Sequence, residues 1–308
     1  MGKLWKQCAG LCMMASAGPG WADLPLMLEE LLTEEKTVKL HFGVTYNNSL
    51  QKTSELYNLD QAISRFGIRY GATSNTEVYS RITGACSETR IGRTEEIDHA
   101  NACQWRNLVA GVNHRFSPEN DTPALLGFIE TELIENVGFS NTQELVNGKT
   151  WHAGLTAYRS IDPIVLSLTA GYNYTAPRKI ASFGALGKID TGDTVYLEPS
   201  LSFAANDQVS IFGGFRLNYR NKKRIDQSRV RLCDHYGDPS TLSWGLFMNK
   251  EFRDCSSIFK NNMPTTRTDL LSGVSFAPTE KLTLHSNVRV DISGDTGSSV
   301  GIDMTYQL

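Results

Sequence analysis

Apolar and polar residues alternate along two segments at the end of the chain, 282–291 and 300–308. The apolar set is Leu282, Leu284, Val288 and Val290 in the first segment and Val300, Ile302, Met304, Tyr306 and Leu308 in the second. A period of two predicts β-strands with one apolar and one polar face. Such strands build either a soluble sandwich, which buries the apolar faces between sheets, or a transmembrane barrel, which turns them to lipid.

The same alternation recurs in ten earlier segments, so the chain is predicted to contain about twelve strands. These segments are 38–46, 66–72, 76–82, 108–116, 125–133, 151–157, 164–172, 195–203, 209–219 and 270–276. Strands of about ten residues suit a tilted crossing of a bilayer. A strand-like piece at 242–247 leaves a count of fourteen open.

The connections between these segments alternate in length, and this favours the barrel over the sandwich. Short turns are predicted at 74–75, 117–122, 160–163, 204–207 and 277–280, whereas the intervening loops are long, up to about forty-five residues between Arg220 and Thr265. Short turns on one side and long loops on the other are typical of outer-membrane barrels. We therefore expect an all-β transmembrane antiparallel β-barrel with both termini on the periplasmic, short-turn side.

Aromatic residues are predicted near both ends of the strands, as expected for two girdles at the membrane interfaces. Phe116, Phe203, Phe276 and Tyr306 lie toward the short turns, and Tyr46, Tyr172 and Tyr219 lie toward the long loops. Composition agrees with a barrel, because the mean hydropathy is −0.28 and half of a barrel's residues are polar. No apolar run reaches the ~18 residues of a membrane helix, and a net charge of −3 disfavours nucleic acid as a partner.

The N-terminal residues resemble a targeting segment followed by a helix. Residues 1–22 are predicted to be a signal peptide with a basic start, an apolar middle and a small-residue cleavage site. Residues 23–36 are predicted to be an amphipathic helix, and 37–308 the barrel. This helix either rests on the end of the barrel or acts as a plug or periplasmic segment.

Four cysteines remain after removal of the signal peptide. Cys86 and Cys103 lie at the ends of one predicted polar loop, and Cys233 and Cys255 lie within another. Local pairing predicts one disulfide in each loop and an oxidising compartment. A zinc site is disfavoured because none of the four lies in a C-x-x-C pair.

Three stretches of the chain, 66–82, 111–128 and 275–290, resemble the outer-membrane transporters associated with the meta-pathway of phenol degradation. They also resemble the related barrel that exports functional amyloid in pseudomonads. The resemblance implies a channel of about twelve strands. The chain departs from the amyloid exporter in its shorter N-terminal portion, and it ends in Leu308, where the barrel assembly machinery usually meets an aromatic residue.

The strand register assigns a set of charged residues to the barrel interior. These predicted lumen-lining residues are Arg65, Arg69, Glu77, Arg81, Arg115, Glu130, Glu132, Glu198, Arg216, Arg289 and Asp303. Their mixed signs predict no strong ion preference, and they either line a pore or form a salt-bridge network that fills it. In the plug hypothesis Glu29, Glu30, Glu34 and Glu35 face the arginines at the lumen mouth.

No catalytic residue, metal site or cofactor is predicted. Two Asp-Thr-Gly triplets, 190–192 and 295–297, fall in predicted loops, where Asp and Gly are ordinary turn residues. The neighbours His285 and Ser286 point to opposite faces of a strand, so they cannot form a hydrolase pair. His114 and Ser117, near Asn120, straddle a turn.

The sequence therefore predicts an outer-membrane channel that passes small solutes or an exported polypeptide. The alternative is a closed structural or adhesive barrel that binds a ligand through its disulfide-tied extracellular loops. An outer-membrane lipid hydrolase is the second alternative. The expected partners are outer-membrane lipid and the barrel assembly machinery.

Overall fold

The computed structural model describes residues 32–52, 56–93, 96–136, 145–182, 185–190, 192–221, 224–225, 264–293 and 296–308. These ranges contain sixteen strands. They are β1 (Val38–Lys52), β2 (Leu56–Thr73), β3 (Thr76–Arg93), β4 (Glu96–Ser117), β5 (Ala124–Asn136), β6 (Leu145–Asn147), β7 (Thr150–Ile161), β8 (Ile164–Thr175), β9 (Arg178–Ser182), β10 (Ala185–Asp190), β11 (Thr194–Asn206), β12 (Val209–Arg220), β13 (Arg224–Ile225), β14 (Thr265–Thr279), β15 (Leu282–Asp291) and β16 (Thr296–Gln307).

Twelve of these strands form one closed antiparallel barrel. The order is β4-β3-β2-β1-β16-β15-β14-β12-β11-β8-β7-β5, and β5 pairs back onto β4 to close the ring. β6 extends the pairing of β5, while β9, β10 and β13 form a separate three-stranded sheet. The predicted closed barrel of about twelve strands is confirmed, with one observed strand for each predicted segment.

The apolar faces of the strands point outward. In β1, Phe42, Val44 and Tyr46 are exposed, whereas the alternate residues Lys39 and Thr45 are buried. A soluble sandwich would show the opposite burial, with the apolar face inside. The same outward apolar face recurs around the barrel, as expected for a surface in contact with lipid. Among the described residues, no helix has the length and apolarity to cross a membrane.

The five short connections lie at one end of the barrel, here called the short-turn rim: 74–75, 118–123, 162–163, 207–208 and 280–281. Backbone hydrogen bonds join four of these turns to a neighbouring strand, for example from Arg115 N to Asn75 O over 2.8 Å. Leu308 N donates to Val38 O at the same rim, so the C-terminus and the start of β1 meet there. The shared end of the turns is confirmed, and its periplasmic side stays a prediction.

Two of the predicted polar loops are strand extensions instead. β3 and β4 continue as a paired hairpin through the region predicted as the loop 86–106, and β1 and β2 extend similarly. The backbone ladder continues in these hairpins although the alternation of apolar residues has stopped, so the period-two pattern did not reveal them. Cys86 and Cys103 are register partners in the β3–β4 hairpin and form the predicted disulfide. Cys233, Cys255 and the segment 242–247 lie outside the described residues.

The end of the predicted N-terminal helix is not helical. Residues 32–36 form irregular backbone, with an isolated bridge from Glu35 to Gly71. Lys36 has a φ of 63°, the left-handed region, so the chain turns sharply before it enters β1. The predicted signal peptide and the first part of the helix, 23–31, lie outside the described residues.

Candidate functional site

The polar faces of the strands line the inside of the barrel. Tyr79 of β3 donates a hydrogen bond to Glu130 of β5 across the intervening strand β4, over 2.9 Å. Side chains converge on the concave face of a curved sheet, and the apolar residues of these strands are exposed on the other face. The polar face is therefore the concave one, and it carries the charged residues that follow.

Glu130 is the centre of one interior cluster, here called the Glu130 cluster. Its carboxylate accepts a hydrogen bond from Tyr79 and lies 3.5 Å from Arg81 Nη2 and 3.2 Å from His152 Nδ1. The His152 ring then makes an edge contact with Phe128, at a centroid distance of 5.2 Å. A single carboxylate on β5 thus binds side chains from two other strands, β3 and β7.

The cluster continues along the wall to β11 and β12. The rings of His152 and Tyr196 lie 5.4 Å apart, and the guanidinium of Arg216 lies 4.4 Å from the Tyr196 centroid. Arg216 Nε also lies 2.5 Å from Glu198 Oε2. A cation over an aromatic face stabilises by about 0.5–2 kcal/mol, so the ring and the ion pair hold Arg216 close to the barrel wall.

Asp303 of β16 gathers a second cluster on the strands β1, β2 and β15. Its Oδ1 lies 3.6 Å from His41 Nε2 and 3.8 Å from Arg65 Nη1, and Asn287 donates to its Oδ2 over 3.1 Å. Arg65 also donates to Thr45 Oγ1. The Asp303 and Glu130 clusters therefore place paired charges on most of the circumference of the barrel.

A third cluster at the outer end of β14 and β15 was not predicted. Arg267 Nε lies 2.8 Å from Asp269 Oδ1 and 3.1 Å from Asp291 Oδ2, and both carboxylates are buried. Asn218 donates to Asp269, and Ser293 donates to Asp291. Asp269 lies one residue before the predicted segment 270–276, and Asp291 is the last residue of the segment 282–291. Neither was assigned to the lumen.

The eleven predicted lumen residues lie on strands of the barrel at positions that alternate with the lipid-facing ones. Eight of them form four separate ion pairs, which are Arg69 with Glu77, Arg81 with Glu130, Arg65 with Asp303, and Arg216 with Glu198. Glu132 accepts a hydrogen bond from Asn107 over 2.7 Å. Arg115 and Arg289 follow the same alternation in β4 and β15.

Four interior aromatic rings each cover a glycine on the neighbouring strand. The pairs are Tyr79 with Gly111, Phe128 with Gly154, Tyr196 with Gly171 and Phe212 with Gly273, and each pair is directly opposite in register. A Cβ on any of these glycines would lie 2.3–2.5 Å from the ring. Each ring therefore lies against the wall in the space that a side chain would occupy, rather than across the lumen.

The irregular segment Leu32–Lys36, here called the N-terminal strap, crosses the inner face at the short-turn rim. Thr33 donates from its N–H and its hydroxyl to Glu77 Oε2, over 2.7 Å and 2.5 Å, and both residues are buried. Glu34 and Glu35 are exposed, with Glu35 paired to Lys36 and Glu34 accepting from Gln307. The strap thus reaches the interior through Thr33, and the described acidic residues turn to the rim instead of the arginines.

The histidines considered for hydrolysis have structural partners. His285 Nδ1 is hydrogen bonded to Ser275, whose side chain is fully buried and so is shielded from a substrate. His114 Nδ1 is bonded to Thr76 Oγ1 over 2.9 Å rather than to Ser117. No group of three metal-binding side chains occurs in the ranges that the structure describes.

Comparison with known proteins identifies a shared fold. No family model and no curated protein sequence matches the chain. An outer membrane channel from Pseudomonas putida F1 superposes with a TM-score of 0.60 at 8% identity, over 91% of this chain and 98% of that one. The translocator domain of the autotransporter NalP from Neisseria meningitidis gives 0.53 at 12% identity, over 91% of each chain.

The transport unit of the autotransporter AIDA-I from Escherichia coli gives a TM-score of 0.51 at 8% identity, over 88% of this chain and 90% of that one. At these identities the likeness shows the fold alone. The chain therefore has the closed barrel fold found in outer-membrane channels and translocators.

Proposed function

We propose that the protein is an outer-membrane channel that passes small polar solutes or an extended polypeptide through its lumen. The observation that carries the proposal is the interior itself, where charges occur as pairs and aromatic rings lie against the wall on glycines. In a closed barrel without a pore, large side chains would extend across the axis and fill the interior. No cofactor is needed for passage by diffusion.

The location follows from the same features. The apolar band around the barrel supports insertion into an outer membrane, with lipid and the barrel assembly machinery as partners. Outer-membrane barrels have short periplasmic turns and longer extracellular loops. We therefore place the short-turn rim and both termini in the periplasm and the Cys86–Cys103 hairpin outside the cell.

The refolded mature chain is expected to produce discrete conductance steps in a planar bilayer. A barrel with a continuous polar lumen gives ions a path that lipid does not. Heat-modifiable migration on a gel checks that the barrel is folded before the recording, and a second recording with reductant tests the disulfide-tied hairpin. A folded barrel that leaves the bilayer silent would contradict the channel function.

Glu130→Gln is expected to make the channel more anion-selective. The substitution removes the carboxylate that balances Arg81 and leaves one more positive charge in the lumen. A unit charge interacts with an ion 4 Å away in water by about 1 kcal/mol. This energy corresponds to a change of about fivefold in the permeability ratio. The reversal potential in a salt gradient measures this ratio. Glu280→Gln, on an exposed turn, is the matched control and should leave it unchanged.

The closed, ligand-binding barrel is the second candidate, and the length of the outer hairpins favours it. β2 to β4 are 18 to 22 residues long, against 10 to 15 residues for the other barrel strands, and a disulfide joins β3 to β4. In this candidate function the paired hairpins would bind a ligand outside the membrane. Silent bilayers from a folded barrel would favour this function over the channel.

A further inference from the structure

Lys39 is a buried cation on the inward face of β1, close to the short-turn rim. It is 8% exposed, so more than nine-tenths of the residue is covered. Its ammonium forms no hydrogen bond or ion pair with any residue in the part of the chain that the structure describes. A buried charge is costly unless it is paired, and lysine is almost never fully buried without a partner. Lys39 therefore requires a counter-charge from outside the described chain.

The register of β1 against β2 places a second cation directly beside Lys39. Its register partner is Arg69, and both residues occupy inward positions. Like charges directly opposite each other in a sheet are destabilising. Arg69 lies 3.8 Å from Glu77, but this fully buried carboxylate already accepts hydrogen bonds from Thr33 and Asn113. The one carboxylate beside the two cations thus has other donors to satisfy.

The carboxylates of the N-terminal strap have other partners. Glu34 is exposed and accepts a hydrogen bond from Gln307 over 3.2 Å. Glu35 is also exposed and lies 3.4 Å from the ammonium of Lys36. Neither carboxylate forms an ion pair with Lys39. The strap therefore does not neutralise the buried ammonium.

A row of register partners deeper in the lumen shows how these strands bind an oxyanion. Asp303, Gly43 and Arg65 are successive partners on β16, β1 and β2. The glycine leaves room for the carboxylate, because a Cβ there would lie 2.0 Å from Asp303 Oδ1. This oxygen lies 3.6 Å from His41 Nε2 and 3.8 Å from Arg65 Nη1. A single carboxylate thus lies beside basic groups of both β1 and β2.

The equivalent row at the rim has basic groups on both strands and no carboxylate of its own. Its members on β16, β1 and β2 are Gln307, Lys39 and Arg69. A neutral amide takes the place of the aspartate, and a lysine takes the place of the glycine. An ammonium has three donors and a guanidinium has five, so the two cations can bind one oxyanion together.

We propose that Lys39 and Arg69 bind a small oxyanion, a carboxylate or a phosphate, in the lumen at the short-turn rim. The oxyanion supplies the counter-charge of Lys39 and relieves the repulsion between the two cations. This proposal rests on the channel function, because it makes small oxyanions the class of solute that the lumen accepts. Binding itself does not require conduction and is tested separately.

Thermal unfolding in different salts tests the binding. The midpoint of heat-modifiable migration is measured for the refolded chain in sodium phosphate, sodium acetate and sodium chloride at equal pH and ionic strength. An anion that binds only the folded barrel raises this midpoint, and we expect phosphate or acetate to raise it by at least about 2 °C above chloride. A larger shift in phosphate identifies a phosphate site, and a larger shift in acetate identifies a carboxylate site.

Lys39→Met separates this site from the general effect of salts. Phosphate also stabilises folded proteins because it is excluded from their surface, so the shift of the variant is subtracted from that of the unchanged chain. Lys39→Met should lose the specific shift, Lys39→Arg should retain it, and Lys281→Met, at an exposed cation of the same rim, should not alter it. A full shift in Lys39→Met would overturn the site.

Single-channel recording tests the link to passage. Phosphate or acetate added on the side of the short turns should reduce the chloride current of the unchanged chain, and Lys39→Met should lower this block at least about fivefold. A midpoint shift that depends on Lys39 in a barrel that never conducts would support the site and reject the channel. Conduction without such a shift would reject the site and leave the channel function intact.

Discussion

Gly171→Ala is expected to destabilise the barrel by about 1–3 kcal/mol, the usual cost of overpacking a filled site. The new Cβ would lie 2.3 Å from two ring carbons of Tyr196 and 2.5 Å from its hydroxyl oxygen. The ring has to leave the wall, and with it go the contacts to His152 and Arg216. Urea unfolding in lipid vesicles measures the loss, and the displaced ring should also lower the conductance.

Gly213→Ala is the matched control for this substitution. Its Cβ would meet its nearest atom, the carbonyl oxygen of Leu271, at an ordinary 3.6 Å. Because glycine in a strand is about 0.5–1 kcal/mol less favourable than alanine, we expect no loss or a small gain in stability. Adding Tyr196→Ala to Gly171→Ala should remove most of the penalty in a double-mutant cycle. Equal losses at Gly171 and Gly213 would contradict the role of the ring.

The pairing of rings with glycines could not be read from the sequence. Tyr196 and Gly171 belong to different strands, and they become neighbours only through the register of β11 against β8. A shift of one residue would turn every side chain of a strand to the other face. The alternation predicts which residues face inward, but it carries no information on which of them lie opposite each other.

Strand number and turn positions were predictable because lipid and lumen impose opposite demands on alternate residues. That constraint ends at the membrane surface, and the predicted strand bounds were inaccurate beyond it. β4 begins at Glu96, twelve residues before the predicted start at Leu108, because the backbone ladder continues where the alternation of apolar residues has stopped. The Cys86–Cys103 disulfide was still predicted, since local pairing holds for a loop and for a hairpin alike.

The alternation predicted which charged residues face the interior, but it did not predict which of them form ion pairs. Arg81 and Glu130 are forty-nine residues apart and meet across an intervening strand. Asp269 was missed because it lies one residue before the predicted segment 270–276, and Asp291, the last residue of the segment 282–291, was not assigned to the lumen. The strap was assigned to a helix from its apolar spacing, whereas Thr33 is drawn into irregular backbone by the buried carboxylate of Glu77.

Glu77→Gln is expected to destabilise the folded barrel by about 2–4 kcal/mol, the scale for breaking a buried charged network. Both oxygens of Glu77 accept from donors only, namely Thr33 N–H and hydroxyl and the Asn113 amide, with Arg69 nearby. A glutamine amide would turn two hydrogens toward one set of these donors and would remove the negative charge that lies 3.8 Å from Arg69. Urea unfolding in vesicles measures the change.

Glu35→Gln provides the comparison, because it removes the same charge from the same end of the barrel. Glu35 and Lys36 are both exposed, and exposed ion pairs contribute about 0–1 kcal/mol. A large difference between the two variants would therefore locate the stability in the buried acceptor rather than in the net charge at the rim. Equal effects would mean that the strap and Arg69 find other partners when Glu77 is lost, and that Thr33 does not depend on this carboxylate.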